Sequence, residues 1–239
     1  MTMISPGIFI FAIFLYGLMT YAFKAEIFRK LKLAILENPH WIKGNELFLI
    51  ISPDLWWAFR FKNKIANSDL EARALSRKKF VTHNNQFNLW FSLGFCLTTL
   101  TTVSSYPASY FSKLILCLAV IRFISRSIEI TYAFVKDAFQ PSSDTSATNL
   151  TSNERIKLAA KSYVEIYFFS APPYLILTKC LDPWSAISLS LNIGTLTNVG
   201  LAFADPCKAL EANIVFFQVF TTLSLVVFSF AMYLARPEK

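Results

Sequence analysis

Residues 4–23 (ISPGIFIFAIFLYGLMTYAF) run for 20 positions without a charge, enough to cross a hydrocarbon core about 30 Å thick. At that depth the backbone finds no water, so a stretch of this kind has to be helical. Its basic residues, Lys24, Arg29, Lys30 and Lys32, follow it. A secretory signal would carry them ahead of the apolar run and end in a small-residue cleavage site. The segment therefore reads as an uncleaved span. Further apolar stretches at 86–106, 110–138, 158–178 and 208–235 bring the expected number of transmembrane helices to five.

Composition agrees with a bilayer protein. The chain is 54% hydrophobic and 16% charged, with mean hydropathy +0.45, whereas soluble domains carry about 25% charged residues. A net charge of +8 could point to nucleic acid, but the basic residues cluster beside apolar spans. Retention on the cytoplasmic face and contact with anionic lipid account for them, and no nucleic-acid partner is expected.

Their distribution sets the orientation. Twelve of the 23 Lys and Arg lie in 24–85, while Lys113, Lys179 and Lys208 alone fall on the opposite side of a five-span arrangement. The positive-inside rule then places the N-terminus outside and the C-terminus in the cytoplasm of an inner-membrane, multi-pass protein. Within 24–85, KAEIFRKLKLAIL puts Ile27, Leu31, Ala34 and Ile35 on one helical face, as in an interfacial helix. NELFLIISPDLWWAFRF is interrupted by Pro53 and Asp54 and is expected in the headgroup region, anchored by Trp56 and Trp57. DLEARALSRKK reads as a polar cytoplasmic helix.

Three positions of the third span, Arg122, Arg126 and Glu129, follow i, i+4, i+7 spacing and share a face. They are expected to form a snorkelling or salt-bridged cluster near the inner interface, with Glu129 and Glu165 paired to Arg126 and Lys161. A voltage sensor would need more arginines. PSSDTSATNLTS (141–152) is a polar linker, dividing an N-terminal membrane region (1–140, linker 141–157) from a C-terminal module (158–239). Pro172 and Pro173 are expected to kink the fourth span or end it early.

The module holds the stretch with most functional content, DPWSAISLSLNIGTLTNVGLAFADP (182–206). A Ser-rich apolar run leads into Thr195-Leu196-Thr197-Asn198-Val199-Gly200 between two apolar segments. That order resembles the pore loop of potassium-type channels, whose filter reads roughly T-x-T-T-V-G-Y-G-D. Thr195, Thr197, Val199 and Gly200 fit it; Asn198, Leu201 and Ala202 depart from it. Upstream, Glu154, Arg155, Ile156, Leu158, Ala159, Ser162, Tyr163 and Glu165 are similar to the start of the outer pore helix in small bacterial pore-loop channels. The resemblance covers 126–239. It implies a re-entrant loop between the last two helices, a ring of backbone carbonyls that replaces an ion's water shell, and four copies around one axis.

The expected fold is therefore an all-α integral membrane protein of about five transmembrane helices plus one re-entrant pore loop. A fully spanning 184–204 is the alternative. The expected function is passage of monovalent cations through a homotetramer, with Thr195, Thr197, Asn198, Val199, Gly200 and Leu201 at the filter. The half-helix 184–193 would aim its negative end at the cavity. Gly194 and Gly200 could instead serve close helix packing. A non-conducting protein of immunity or exclusion type, binding another membrane protein, is the second reading.

Cysteine and histidine usage adds little chemistry. Cys96 and Cys117 fall inside spans and read as small core hydrophobes; Cys180 and Cys207 bracket the loop and could form a disulfide. His40 and His83 are not paired at ligand spacing, and no G-x-S-x-G, P-loop or H-E-x-x-H occurs. No enzyme activity, cofactor or metal is expected, and the partners are membrane lipid, cations and further copies of the chain.

Overall fold

A computed structural model describes residues 5–33, 46–65, 70–107, 109–139, 150–177, 182–200 and 212–230. Every element among them is helical: α1 (Pro6–Lys30), α2 (Leu47–Ile51), α3 (Pro53–Lys64), α4 (Leu70–Ser105), α5 (Tyr110–Ala138), α6 (Ser152–Leu177), α7 (Pro183–Gly194) and α8 (Ala212–Leu223). The last continues as a wider-wound π segment over Ser224–Phe230. Caps fix the boundaries. Ser5 accepts from the Ile8 N–H ahead of Pro6, Ser52 from the Leu55 N–H ahead of Pro53, and Ser109 from the Ser112 N–H.

α6 lies at the centre, against α4, α5 and α7, and α1 packs on α5 and α3. One apolar cluster joins α4, α5, α6, α7 and α8 through residues such as Leu100, Leu116, Tyr174, Leu189 and Val215. Cys96 belongs to it, and Cys117 sits in a second cluster against Ile8, Ala12 and Tyr16, so both cysteines act as core hydrophobes.

The distribution of polarity is unusual. On α1 the buried side follows a stripe of Ile8, Ala12, Tyr16, Thr20, Lys24 and Ile27, while Ile10 and Phe14 on the other side are 67% and 72% exposed. Phe111, Phe216 and Phe220 are likewise exposed, and Arg122, Arg126, Glu129, Glu165 and Asp54 are buried. Charged groups are thus buried beside the apolar clusters, while a set of large apolar groups faces out.

Several expectations are corrected in detail. α1 runs unbroken to Lys30, so 24–30 is not a separate interfacial helix, and Lys24 is buried rather than at a surface. α4 joins the expected cytoplasmic helix and second span into one helix of 36 residues. α3 packs into the bundle: Asp54 is buried and the Trp57 indole N–H donates to the Gly17 carbonyl of α1 at 3.1 Å. α6 continues past Pro172 and Pro173 to Leu177, so the prolines do not end it early.

Among the described residues α1 alone is both long and apolar enough to cross a membrane; the apolar run Ile214–Val227 is shorter. Helix α5 matches the expected span 110–138 and α6 overlaps 158–178, yet both, like α4, are more polar than α1. Residues 201–211 and 231–239, with Leu201, Cys180, Cys207 and the linker 141–149, lie outside the described residues.

Candidate functional site

Two polar constructions stand out in the bundle. The first grows from the shared face of Arg122, Arg126 and Glu129 on α5. Arg126 is bidentate on Glu165 of α6, its Nε donating to Oε1 at 2.9 Å and its Nη2 to Oε2 at 2.8 Å. Its Nη1 donates to Glu129 Oε2 at 2.5 Å. Glu129 also accepts from Lys24 of α1 at 3.4 Å, and Lys24 reaches Asn84 Oδ1 at 3.3 Å.

One turn away, Arg122 Nη2 donates to Ser92 Oγ at 2.5 Å, and Ser92 in turn donates to Glu165 Oε1 at 3.0 Å. The Arg122 guanidinium lies 4.5 Å over the ring of Phe91. Arg122 Nη1 donates to the Tyr16 hydroxyl at 3.3 Å, and Tyr16 donates to Asp54 Oδ2 at 2.5 Å. Ser125 donates to the same oxygen at 2.6 Å.

Three cations (Lys24, Arg122, Arg126) thus face three carboxylates (Asp54, Glu129, Glu165), and the network is neutral as a whole. A buried charge is costly unless it is paired or hydrogen-bonded: Lys24, Arg122, Arg126, Glu129 and Glu165 are joined by ion pairs, and Asp54 is held by the Tyr16 and Ser125 hydroxyls. The arginines are clamped across five helices rather than snorkelling to an interface. Glu165 pairs with Arg126 and Arg122; Lys161, its expected partner, donates instead to Gln86 Oε1 at 2.5 Å.

The second construction is the C-terminal module. α7 covers 183–194, within a residue of the expected half-helix. Asp182 caps it, accepting from the Trp184 and Ser185 N–H groups at 3.3 and 2.9 Å. Twelve residues at a rise of 1.5 Å span about 18 Å, so α7 by itself does not cross a bilayer core. It is held between α6 and α8 by a small polar knot. The Ser190 hydroxyl donates to the Tyr167 carbonyl at 2.8 Å and lies 2.7 Å from Ser170 Oγ. Gln218 Nε2 of α8 donates to the Ser190 carbonyl at 3.0 Å, and Gln218 also meets the Tyr174 hydroxyl. Tyr163 donates to the Gly194 carbonyl at 3.2 Å.

A turn follows, and it holds the expected filter residues. Thr195 caps α7, its hydroxyl on the Leu191 carbonyl at 2.7 Å and 2.8 Å from Thr197 Oγ1. The Thr197 N–H returns to the Asn192 carbonyl at 3.2 Å. Thr195, Thr197, Asn198 and Gly200 are exposed, and Val199 packs against the apolar cluster below. The left-handed residue is Leu196, at φ 59°, not Gly200. Gly194 serves close packing: a Cβ there would stand 2.4 Å from the Tyr167 ring, whereas one at Gly200 meets nothing nearer than Asn198 Oδ1 at 4.0 Å.

No family model, curated protein or solved structure matches this chain. The reading of both constructions therefore rests on their own geometry. Among the described residues no cluster of His, Cys, Asp or Glu is arranged to hold a metal ion. Sequence reasoning found the α5 triad but missed Tyr16, Lys24, Asp54 and Ser92. The available signal was a lone Asp in an apolar stretch and a Lys at the end of a span, since ionisable residues at such positions seek partners inside the bundle.

Proposed function

We propose that the chain is a multi-pass helical protein of the inner membrane, with its N-terminus outside and its C-terminus cytoplasmic. We further propose that its α6–α7–α8 segment is a pore-loop module, four copies of which pass monovalent cations. The observation that carries the reading is the polar turn 195–200, left exposed at the end of a short helix wedged between α6 and α8.

The outward-facing Phe, Ile and Leu side chains suit lipid, and much of the hydroxyl polarity of α4 is satisfied within the helix. On α4 the hydroxyls of Thr98, Thr99, Thr101 and Ser104 donate to the carbonyls of Gly94, Phe95, Leu97 and Leu100 at 2.7–2.9 Å. Such bonds remove most of the cost of placing Ser and Thr in a bilayer. The buried Arg122 and Arg126 of α5 are matched by Glu129 of α5 and Glu165 of α6.

Purified protein in liposomes, assayed for potassium and sodium flux with the oligomer mass measured in parallel, tests the proposal. Flux by a tetramer supports it, and a monomer without flux counts against it. The second reading, a non-conducting membrane protein that binds another, draws on the turn itself. Thr195 and Thr197 spend their hydroxyls on each other and on α7, and no glycine there adopts the left-handed backbone. Under that reading substitutions in 195–200 alter assembly and leave flux at background.

A further inference from the structure

A cavity of about 360 Å³ opens between α3, the first half of α4, the second half of α5 and the start of α6. Its charges are unbalanced. Both carboxylates on its wall are already engaged, Glu129 by Arg126 and Lys24, and Asp137 by Arg155. Three further cations face the space: Lys62 of α3, Arg77 of α4 and Lys136 of α5. Neither Lys62 nor Lys136 forms an ion pair among the described residues; Lys136 lies over the rings of Phe59 and Tyr132 at 5.1 and 5.6 Å. Burial, and next the neighbouring charge of Arg77, pushes the Lys62 ammonium below its usual range, against a smaller opposing pull from Asp137. The remaining wall is largely apolar, with Asn84 and Asn85 as additional hydrogen-bonding groups.

We propose that this cavity binds a phosphate-ester anion through Lys62, Arg77 and Lys136. Ammonium and guanidinium groups around a half-enclosed space supply the charge-assisted donors such an anion takes. A volume near the lower end of the usual ligand-site range holds a phosphorylated headgroup or a small phosphorylated molecule, not a whole phospholipid. The same chemistry has two sources, an anionic lipid of the inner leaflet or a soluble phosphate ester. The site does not depend on whether the α7 turn conducts.

The test is the unfolding temperature of the purified full chain under three conditions: nanodiscs of phosphatidylcholine alone, the same with glycerol phosphate in solution, and nanodiscs containing phosphatidylglycerol. Near-saturating ligand is expected to raise Tm by about 5 °C. A rise with phosphatidylglycerol alone assigns the lipid source, and a rise with glycerol phosphate assigns the soluble one. The rise should be mostly lost in Lys62→Gln/Lys136→Gln, both at half-buried or exposed positions where folding is retained. It should shrink in Ala58→Leu, which fills the cavity without altering charge. No rise under either ligand, or an equal rise in the variants, overturns the proposal.

Discussion

Arg126 grips Glu165 with two parallel hydrogen bonds, Nε to Oε1 at 2.9 Å and Nη2 to Oε2 at 2.8 Å, and so locks α5 to α6 inside the bundle. Around that pair the bundle buries a set of six charges, three of each sign, from α1, α3, α5 and α6.

Removing one partner exposes the dependence. Glu165→Gln leaves Arg122 and Arg126 short of a counter-charge and is expected to destabilise the protein by about 3–5 kcal/mol. Lys161→Met, which breaks only the contact with Gln86, should cost less than about 1 kcal/mol. Unfolding in detergent micelles compares the two; equal losses would contradict the assigned pairing.

The two glycines of the module should behave oppositely. Gly194→Ala drives a methyl to within 2.4 Å of the Tyr167 ring and is expected to cost about 1–3 kcal/mol. Gly200→Ala enters open space at an ordinary φ and should stay within about 0.5 kcal/mol of the parent. Thermal unfolding of both variants checks the contrast.

Ser190 ties α7 to α6 and, through its carbonyl, to Gln218 of α8. Ser190→Ala loses the hydroxyl bond to the Tyr167 carbonyl and should cost about 1–3 kcal/mol. Hydrogen exchange should rise in 183–194 and stay unchanged in α1; uniform change throughout would speak against a local tie.

Thr151 and Glu154 form a reciprocal cap at the start of α6. The Thr151 N–H donates to Glu154 Oε2 at 2.9 Å, and the Glu154 N–H donates to Thr151 Oγ1 at 3.3 Å. Lys78, at 2.7 Å, holds the Glu154 carboxyl below its usual range, with the Thr151 N–H as the next cause. A lowered folded value means that the contribution is present above the ordinary glutamate pKa near about 4.3 and fades as pH falls through the lower folded value. Lys78→Met should therefore raise the Glu154 titration midpoint, and its Tm deficit against the parent should close in acid. NMR titration of the carboxyl checks the sign.

Much of the architecture was legible in the residues. The apolar run 4–23, the limits of α5 at 110–138 and the short helix before the Thr/Val/Gly turn all follow from local pattern and caps. The i, i+4, i+7 spacing put Arg122, Arg126 and Glu129 on one face. What spacing along one helix cannot supply is the partner from another. Tyr16, Asp54, Ser92 and Glu165 reach Arg122 and Arg126 from four different helices, so the network is set by tertiary packing. The same holds for Lys24, whose position at the end of an apolar run looks interfacial until α4 and α5 are placed beside it. The turn shows the reverse: the filter pattern rests on Gly200, yet the left-handed backbone falls at Leu196, where the turn after α7 closes on the Asn192 carbonyl.

The measurement that bears most directly on the central claim is potassium and sodium flux into liposomes holding the purified protein, beside a Gly200→Val variant of matched oligomeric state. Conduction through the 195–200 turn requires measurable flux in the parent and a loss of at least about tenfold in Gly200→Val. Background flux in both, across several voltages and pH values, would contradict it and leave partner binding as the remaining proposal.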